Sequence, residues 1–428
     1  MIDSPSTSRS PSPCRPDHLS VASLLPIFAF AVVVRAAWGL FRLSQAHDSF
    51  ALEFPDEQQY WLLAKSLAGG EGLKDELGFR AGRMPLYPAF LALFTGMANG
   101  VVWAKAAHWV LGGLTAVLAA LLGAAMAGRK AGAIAGVIVA VDPFLIFFSS
   151  LLLTETPFIA ALLFFLLLLW RTLTRTAPTW HWVVVGLAGA WCVYLRESSA
   201  GLVALLLISA IFTKRFDART VIGATVAAAF VLGALIPWAA RNRQVTGEWV
   251  FLTTRGGISL YDGVGPQATG ASDLGAIKQS PAVRGMSEIE WDRHFRELAY
   301  RAMRENPGRV LRLAAIKVRR TWNPAANAAG YSAGTFSMVG AAWSLSIYIL
   351  ATAGALVLIC RRGGVDRVWY AVFILSAPTI YLTVLHAVFV GSVRYRLPAM
   401  PLLAILAAVA IWGGMTLLRS RSPQRQQS

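Results

Sequence analysis

The sequence predicts an all-α polytopic membrane protein with about ten transmembrane helices. Three observations carry that prediction. Hydrophobic residues fill 56% of the 428 positions and charged residues only 14%, against roughly a quarter charged in soluble domains; mean hydropathy is +0.56. The apolar residues are gathered into runs at 19–41, 103–128, 131–149, 156–170, 181–195, 200–213, 220–238, 338–360, 368–390 and 398–418. Lys and Arg, finally, are concentrated in every second connection between those runs.

Residues 1–18 are rich in Ser and Pro and read as a disordered cytoplasmic tail. The run that follows is too long for a signal-peptide core and lacks a small-residue cleavage site, so it is expected to stay as the first helix. Arg35, in its outer half, can snorkel to the interface or lie beneath a site. Residues 86–98 lead into the second helix. The chain then divides into an N-terminal membrane region (19–238) interrupted by a first loop (44–85), a long loop (239–337), a C-terminal membrane region (338–418) and a tail (419–428). Cys14, Cys192 and Cys360 lie in the tail, inside one run and at the end of another. No disulfide framework or cysteine metal site follows.

The net charge of +17 would suggest nucleic acid in a soluble chain; here its placement gives a topology instead. Arg9, Arg15, Arg129, Lys130, Arg171, Arg175, Lys214, Arg215, Arg219, Arg361, Arg362, Arg367, Arg419, Arg421 and Arg425 all fall on one side if ten helices alternate. By the positive-inside rule that side is cytoplasmic, with both termini, which is expected in a bacterial inner membrane. The opposite side holds Asp56, Glu57, Glu155, Arg196, Glu197, Arg394 and the long loop. Ionisable groups gathered at one surface point to an enzyme working there, whereas a transporter places them at mid-membrane on facing helices.

Within the long loop, Trp291, Phe295, Leu298 and Ala302 recur at helical spacing until Asn306-Pro307 stops them. A second helix, about 308–321, combines Val310, Leu313, Ala314 and Ile316 with Arg309, Arg312, Lys317, Arg319 and Arg320. This basic amphipathic pattern suits a headgroup layer, or a lid packed on the bundle.

The residues with chemical potential lie at helix ends. Asp56-Glu57 follow the first helix, with Tyr60 three residues on, a short helix ending at Gly69-Gly70, and Arg83-Met-Pro85-Leu-Tyr87-Pro88 leading into the next span. Glu155 opens the helix after the second outward turn, where it can also complement the helix dipole. Asp142, before Pro143, is expected to be a buried, hydrogen-bonded group. Near the C-terminus, His386 precedes Arg394-Tyr395-Arg396-Leu397-Pro398, and arginine forks suit phosphate oxygens; an interfacial anchor is the other reading. Arg80 and Arg83 can hold a phosphate or neutralise Glu71, Asp75 and Glu76.

Taken in this order, the segments 54–88, 149–156 and 386–401 resemble the C-type (GT-C) polyprenyl-phosphate-sugar glycosyltransferases, the superfamily of protein O-mannosyltransferases, the lipid A aminoarabinose transferase and the Rgt-like enzymes. The resemblance implies a periplasmic, inverting transfer of a sugar from a polyprenyl phosphate to a cell-envelope glycan, lipid or protein. It implies Asp56 as the base and Glu57 as an orienting residue or metal contact. It further implies a basic residue of the Arg394–Arg396 turn at the donor phosphate, for which Arg83, Arg80 and Tyr60 are further candidates, and an acid at the position of Glu155 that in some members binds a divalent metal ion. His386 is a candidate metal ligand, a phosphate donor or a simply hydrogen-bonded histidine. A lipid-linked oligosaccharide flippase and an outer-leaflet polymerase or ligase are the alternative functions.

Overall fold

The computed structural model describes residues 19–45, 52–174, 178–278, 285–327, 331–332, 334–360 and 365–421. The tail expected at 1–18, Arg361 and Arg362, and residues 422–428 of the C-terminal tail lie outside them. Among the described residues every regular element is helical.

The order is α1 (Val21–Gln45), α2 (Pro55–Ala68), α3 (Leu86–Ala92), α4 (Gly100–Ala127), α5 (Arg129–Val141), α6 (Pro143–Phe148), α7 (Glu155–Thr174), α8 (Trp180–Leu195), α9 (Ala200–Thr213), α10 (Ala218–Thr246), α11 (Gly256–Val264), α12 (Leu274–Lys278), α13 (Glu288–Glu305), α14 (Pro307–Thr321), α15 (Thr335–Cys360), α16 (Val365–Val388) and α17 (Met400–Arg421). Seven of these, α1, α4, α7, α10, α15, α16 and α17, are long and apolar enough to cross a membrane. The other three expected runs form shorter helices: α8 and α9 have 16 and 14 residues, below the ~20 that a straight span needs, and the run at 131–149 is broken into α5 and α6.

The bundle closes through small residues, as expected where no water drives helices together. A methyl group at Gly354 would overlap the Leu406 carbonyl of α17, and one at Gly132 would overlap the Ala120 carbonyl of α4.

The α5–α6 break has a definite cause. Pro143 has no N–H, so the Val139 carbonyl loses its helical donor. Arg35 replaces it: Nη2 donates to Val139 O at 3.0 Å, and Nη1 to Ala140 O at 3.0 Å and Ala31 O at 3.1 Å. An unpaired carbonyl in hydrocarbon would cost about 1–3 kcal/mol. Arg35 is therefore buried within the bundle, and the snorkelling alternative is not what the structure shows. Asp142 restarts the chain as the cap of α6, accepting from the N–H groups of Phe144 (3.0 Å) and Leu145 (2.9 Å) and from Trp343 Nε1 (2.8 Å). It is buried and hydrogen-bonded, as expected.

Helix α10 runs about two turns beyond position 238, through Pro237 to Thr246. The chain then folds back on it: Trp238 Nε1 donates to Leu252 O and Asn242 Nδ2 to Val250 O, both at 2.8 Å. The long loop's helices follow the predicted periodicity, with α13 opened by a Ser287/Glu290 capping box. Trp291 and Phe295 pack on Ile258, Ile277 and Phe79, so the first loop and the long loop share one small apolar core.

Candidate active site

Asp56 and Glu57 are neighbours on α2, and a helix turns by about 100° per residue. That turn separates their fates. Glu57 points inward, fully buried, and accepts backbone N–H groups from Glu53 (3.0 Å), Phe54 (3.1 Å) and Leu152 (2.7 Å). It fastens the start of α2 to the turn before α7. Burial pushes its carboxyl upward, against the Leu152 N–H. Asp56 points to the outer surface with its side chain 32% exposed.

Two arginines from distant parts of the chain meet on Asp56. Arg83 Nη2, from the loop before α3, lies 2.8 Å from Oδ1, and Arg394 Nη1 lies 2.5 Å from Oδ2. Arg394 sits in the 3-10 turn Val393–Ala399 that leads into α17. Its Nε also pairs with Glu155 Oε1, which Arg196 Nη1 approaches at 3.4 Å. Burial opposes the charge on Asp56, but Arg394 and then Arg83 outweigh it and hold the carboxyl well below the usual carboxylate range.

Behind Arg83 stands Gln59, one turn along α2 from Asp56. Its Oε1 accepts from Arg83 Nε (3.1 Å) and Nη2 (2.8 Å) and from Arg255 Nη1 (2.8 Å), while its Nε2 donates to Asp75 Oδ2 at 3.2 Å. Burial, and then the neighbouring Arg83, lower the Arg255 guanidinium to about 10. Tyr60 is buried, its ring 5.0 Å below the Arg83 guanidinium and edge-on to Tyr87 at 4.9 Å.

The remaining predicted residues lie elsewhere. Arg396 is fully buried and turned the other way: Nη1 donates to Asn323 O, Nη2 to Ser344 Oγ at 2.9 Å, and the guanidinium lies 4.9 Å from the Phe144 ring. Arg80 is exposed and held through its backbone, with its N–H donating to Glu288 and its carbonyl accepting from Arg241. His386 stacks on Tyr395 at 3.8 Å, with Nδ1 3.1 Å from Val390 O.

Glu155 and His386 do not assemble a metal-binding set with a third ligand: among the described residues no three His, Cys, Asp or Glu side chains gather for a metal ion. Both oxygens of Asp56 and Oε1 of Glu155 already face guanidiniums, which compete with a divalent cation for the same lone pairs. Glu155 Oε2 and His386 Nε2 are each buried without a hydrogen-bond partner, so each of the two predicted ligands keeps a free ligand atom, but no third ligand joins them among the described residues.

Beside Arg394 opens a cavity of about 170 Å³ lined by Phe54, Phe144, Phe147, Phe148, Tyr331 and Phe336, with Asn327 and Ser392 among its few polar groups. Arg42, at the end of α1, covers the rings of Phe147 and Tyr331 at 5.4 Å each. It also donates to the Tyr331 hydroxyl at 2.6 Å and pairs with Glu53.

Sequence reasoning brought together Asp56, Arg83, Glu155 and Arg394 but missed Gln59 and Arg255. Gln59 had a signal, since it stands three residues from Asp56 on the same helical face. Arg255 had none, because its loop carries no periodic pattern.

No family model and no curated protein matches the chain. Solved structures do. The archaeal oligosaccharyltransferase AglB from Archaeoglobus fulgidus, in complex with an inhibitory peptide and a dolichol-phosphate, is 14% identical, with a TM-score of 0.58 over 93% of this chain and 51% of that one. The apo form of the Archaeoglobus fulgidus oligosaccharyltransferase is 11% identical, with the same TM-score and coverage. ArnT from Cupriavidus metallidurans bound to undecaprenyl phosphate is 14% identical over 92% of this chain and 78% of that one, at a TM-score of 0.43. The chain thus spans about half the length of the oligosaccharyltransferase that it resembles. An all-α polytopic bundle with that likeness over nearly its whole length has the fold of the C-type, or GT-C, membrane glycosyltransferases.

Proposed function

We propose that the chain is an integral-membrane glycosyltransferase that moves a sugar, hexose or pentose, from a polyprenyl-phosphate donor to a hydroxyl of a cell-envelope acceptor. The observation that carries this reading is the carboxylate of Asp56 clamped between Arg83 and Arg394. The similar oligosaccharyltransferase, solved with a dolichol-phosphate, supports a donor of the same chemical class. The side of the membrane is periplasmic on the Lys/Arg asymmetry of the connections.

The reaction follows from what each group can do. A donor phosphate offers oxygens to Arg394 and Arg83, with Arg255 behind them, and in doing so draws both guanidiniums from Asp56. The carboxylate then loses the charges that suppress its basicity. Asp56 takes the proton of the acceptor hydroxyl as its oxygen bonds to the anomeric carbon. The bond from that carbon to the phosphate oxygen breaks with its electron pair on the leaving oxygen. Polyprenyl phosphate departs as an anion stabilised by the arginines, and attack from the face opposite the leaving group inverts the anomeric centre. Charge relief falls to guanidiniums, whose forks match phosphate oxygens.

The test is incubation of the purified protein with a panel of polyprenyl-phosphate sugars, measuring released lipid phosphate and glycosylated acceptor together. Transfer with inversion supports the reading. Movement of lipid-linked sugar across vesicles without release of lipid phosphate would replace it with transport.

A further inference from the structure

Helix α14 carries Arg309, Arg312, Lys317, Arg319 and Arg320 and no acid. The structure divides these five cations into two groups. Three are used on backbone carbonyls. Lys317 Nζ donates to Ala387 O at 3.2 Å and Val388 O at 2.7 Å, the last residues of α16. Arg309 donates to Val264 O (3.1 Å), Pro266 O (3.0 Å) and Ala268 O (3.0 Å), and Arg320 Nε to Gly391 O (3.2 Å).

These bonds set the depth of α14. Helix α16 is long and apolar enough to cross a membrane, and Lys317 is seated on its final carbonyls. Helix α14 is therefore seated against the end of α16, the level of the headgroups if α16 spans the bilayer.

The other two cations, Arg312 and Arg319, are exposed. At about 100° per residue they share one continuous face with Leu311, Ala315 and Ile316, opposite the buried Leu313, Lys317 and Thr321. Leu311 is 72% exposed and Ile316 39%. Aliphatic side chains at both edges of the face flank a central pair of guanidiniums. In water such a face would waste its apolar area, whereas at a bilayer surface each part has a partner.

We propose that this face of α14 is a docking surface for anionic phospholipid headgroups. Arg312 and Arg319 pair with lipid phosphates while Leu311 and Ile316 enter the acyl boundary. The helix offers no acid to repel an anionic surface, and its other cations already have protein partners. The surface shares no residue with the Asp56 cluster, so it stands independently of the transfer reaction.

The test uses the full chain reconstituted in vesicles, with an environment-sensitive fluorophore on Ala315→Cys and the three native cysteines replaced. The emission is expected to shift to the blue in phosphatidylcholine vesicles, and further as phosphatidylglycerol is added. Arg312→Gln with Arg319→Gln should abolish the dependence on phosphatidylglycerol while retaining the basal shift. Leu311→Ser with Ile316→Ser should abolish the basal shift. Water-like emission in every vesicle, as a surface reserved for a soluble partner would give, or a blue shift in the parent chain that ignores lipid charge, overturns the proposal.

Discussion

Asp56 and Arg394 stand 338 positions apart in the chain and 2.5 Å apart in the structure. The contact joins the first loop to the turn before the last helix, and Glu155 extends it to α7 through the same guanidinium. A carboxylate so held is fully ionised and weakly basic, which suits a resting state rather than a reacting one. On the proposed mechanism an arriving phosphate would compete for its clamps, coupling donor binding to the appearance of the base.

Replacing Asp56 by Asn preserves shape and most hydrogen bonding but removes the proton acceptor. Transfer is expected to fall about a hundredfold to ten-thousandfold, the usual range for a general base, while donor binding survives. Full transfer activity with Asn at this position would remove Asp56 from the mechanism.

The two arginines of the Arg394-Tyr395-Arg396 turn should separate cleanly. Arg394→Ala loses a charge-assisted contact to the donor of about 1.5–3 kcal/mol, which reads as a roughly ten- to hundredfold rise in KM. Arg396→Ala leaves the Asn323 carbonyl and Ser344 without their donor in a buried site. It should lower thermal stability in detergent with little change in donor KM. An equal effect of both substitutions on KM, with no loss of stability, would return Arg396 to the phosphate.

The pH dependence follows from the arginines around Asp56. Its carboxyl is held below the ordinary range in the free enzyme, so the ionised form, and the stability it brings, persist as pH falls and are lost only near that depressed pKa. The acid limb of kcat/KM, which reports the free enzyme, should therefore lie below ~3.9, the ordinary Asp value. Arg83→Gln removes one of the clamps and should move that limb toward higher pH. An unmoved acid limb in this variant would show that another group governs it.

Glu57 should behave as a structural residue. Its two oxygens accept three backbone N–H groups, and a Gln amide presents one acceptor oxygen and a competing NH₂. At least one buried donor is stranded, at a cost of about 1–3 kcal/mol. Glu57→Gln is expected to lower the melting temperature while the acid limb of kcat/KM stays in place. A shifted limb with unchanged stability would instead place Glu57 in the proton transfer.

What was legible in the sequence was whatever sat at the end of an apolar run. Glu155 and Arg394 each border a helix that hydropathy alone delimits, Asp56 opens the short helix between the first two spans, and the expectation that all three share one membrane face was enough to group them. The direction of a side chain within a turn was not legible: Glu57 and Arg396 adjoin site residues in sequence yet turn away from them. Pro237 reads as a breaker in water, but α10 continues through it to Thr246, and Trp238 and Asn242 on that extension hold the returning chain. Arg255 depends on how a non-periodic loop folds back over Gln59, and that information is spread over the tertiary core shared by Phe79, Trp291 and Phe295.

The Arg35 contact has a consequence for anyone recombining this protein with a relative. Arg35 reaches the α5 carbonyls only because position 112 on α4 is glycine; a methyl group there would overlap its guanidinium stem. Those carbonyls precede α6, whose Phe144, Phe147 and Phe148 wall the cavity beside Arg394. Positions 35 and 112 therefore form an inseparable pair. A chimera that inherits its first span from one parent and its α4 from another can carry every residue of the site and still present a misshapen cavity.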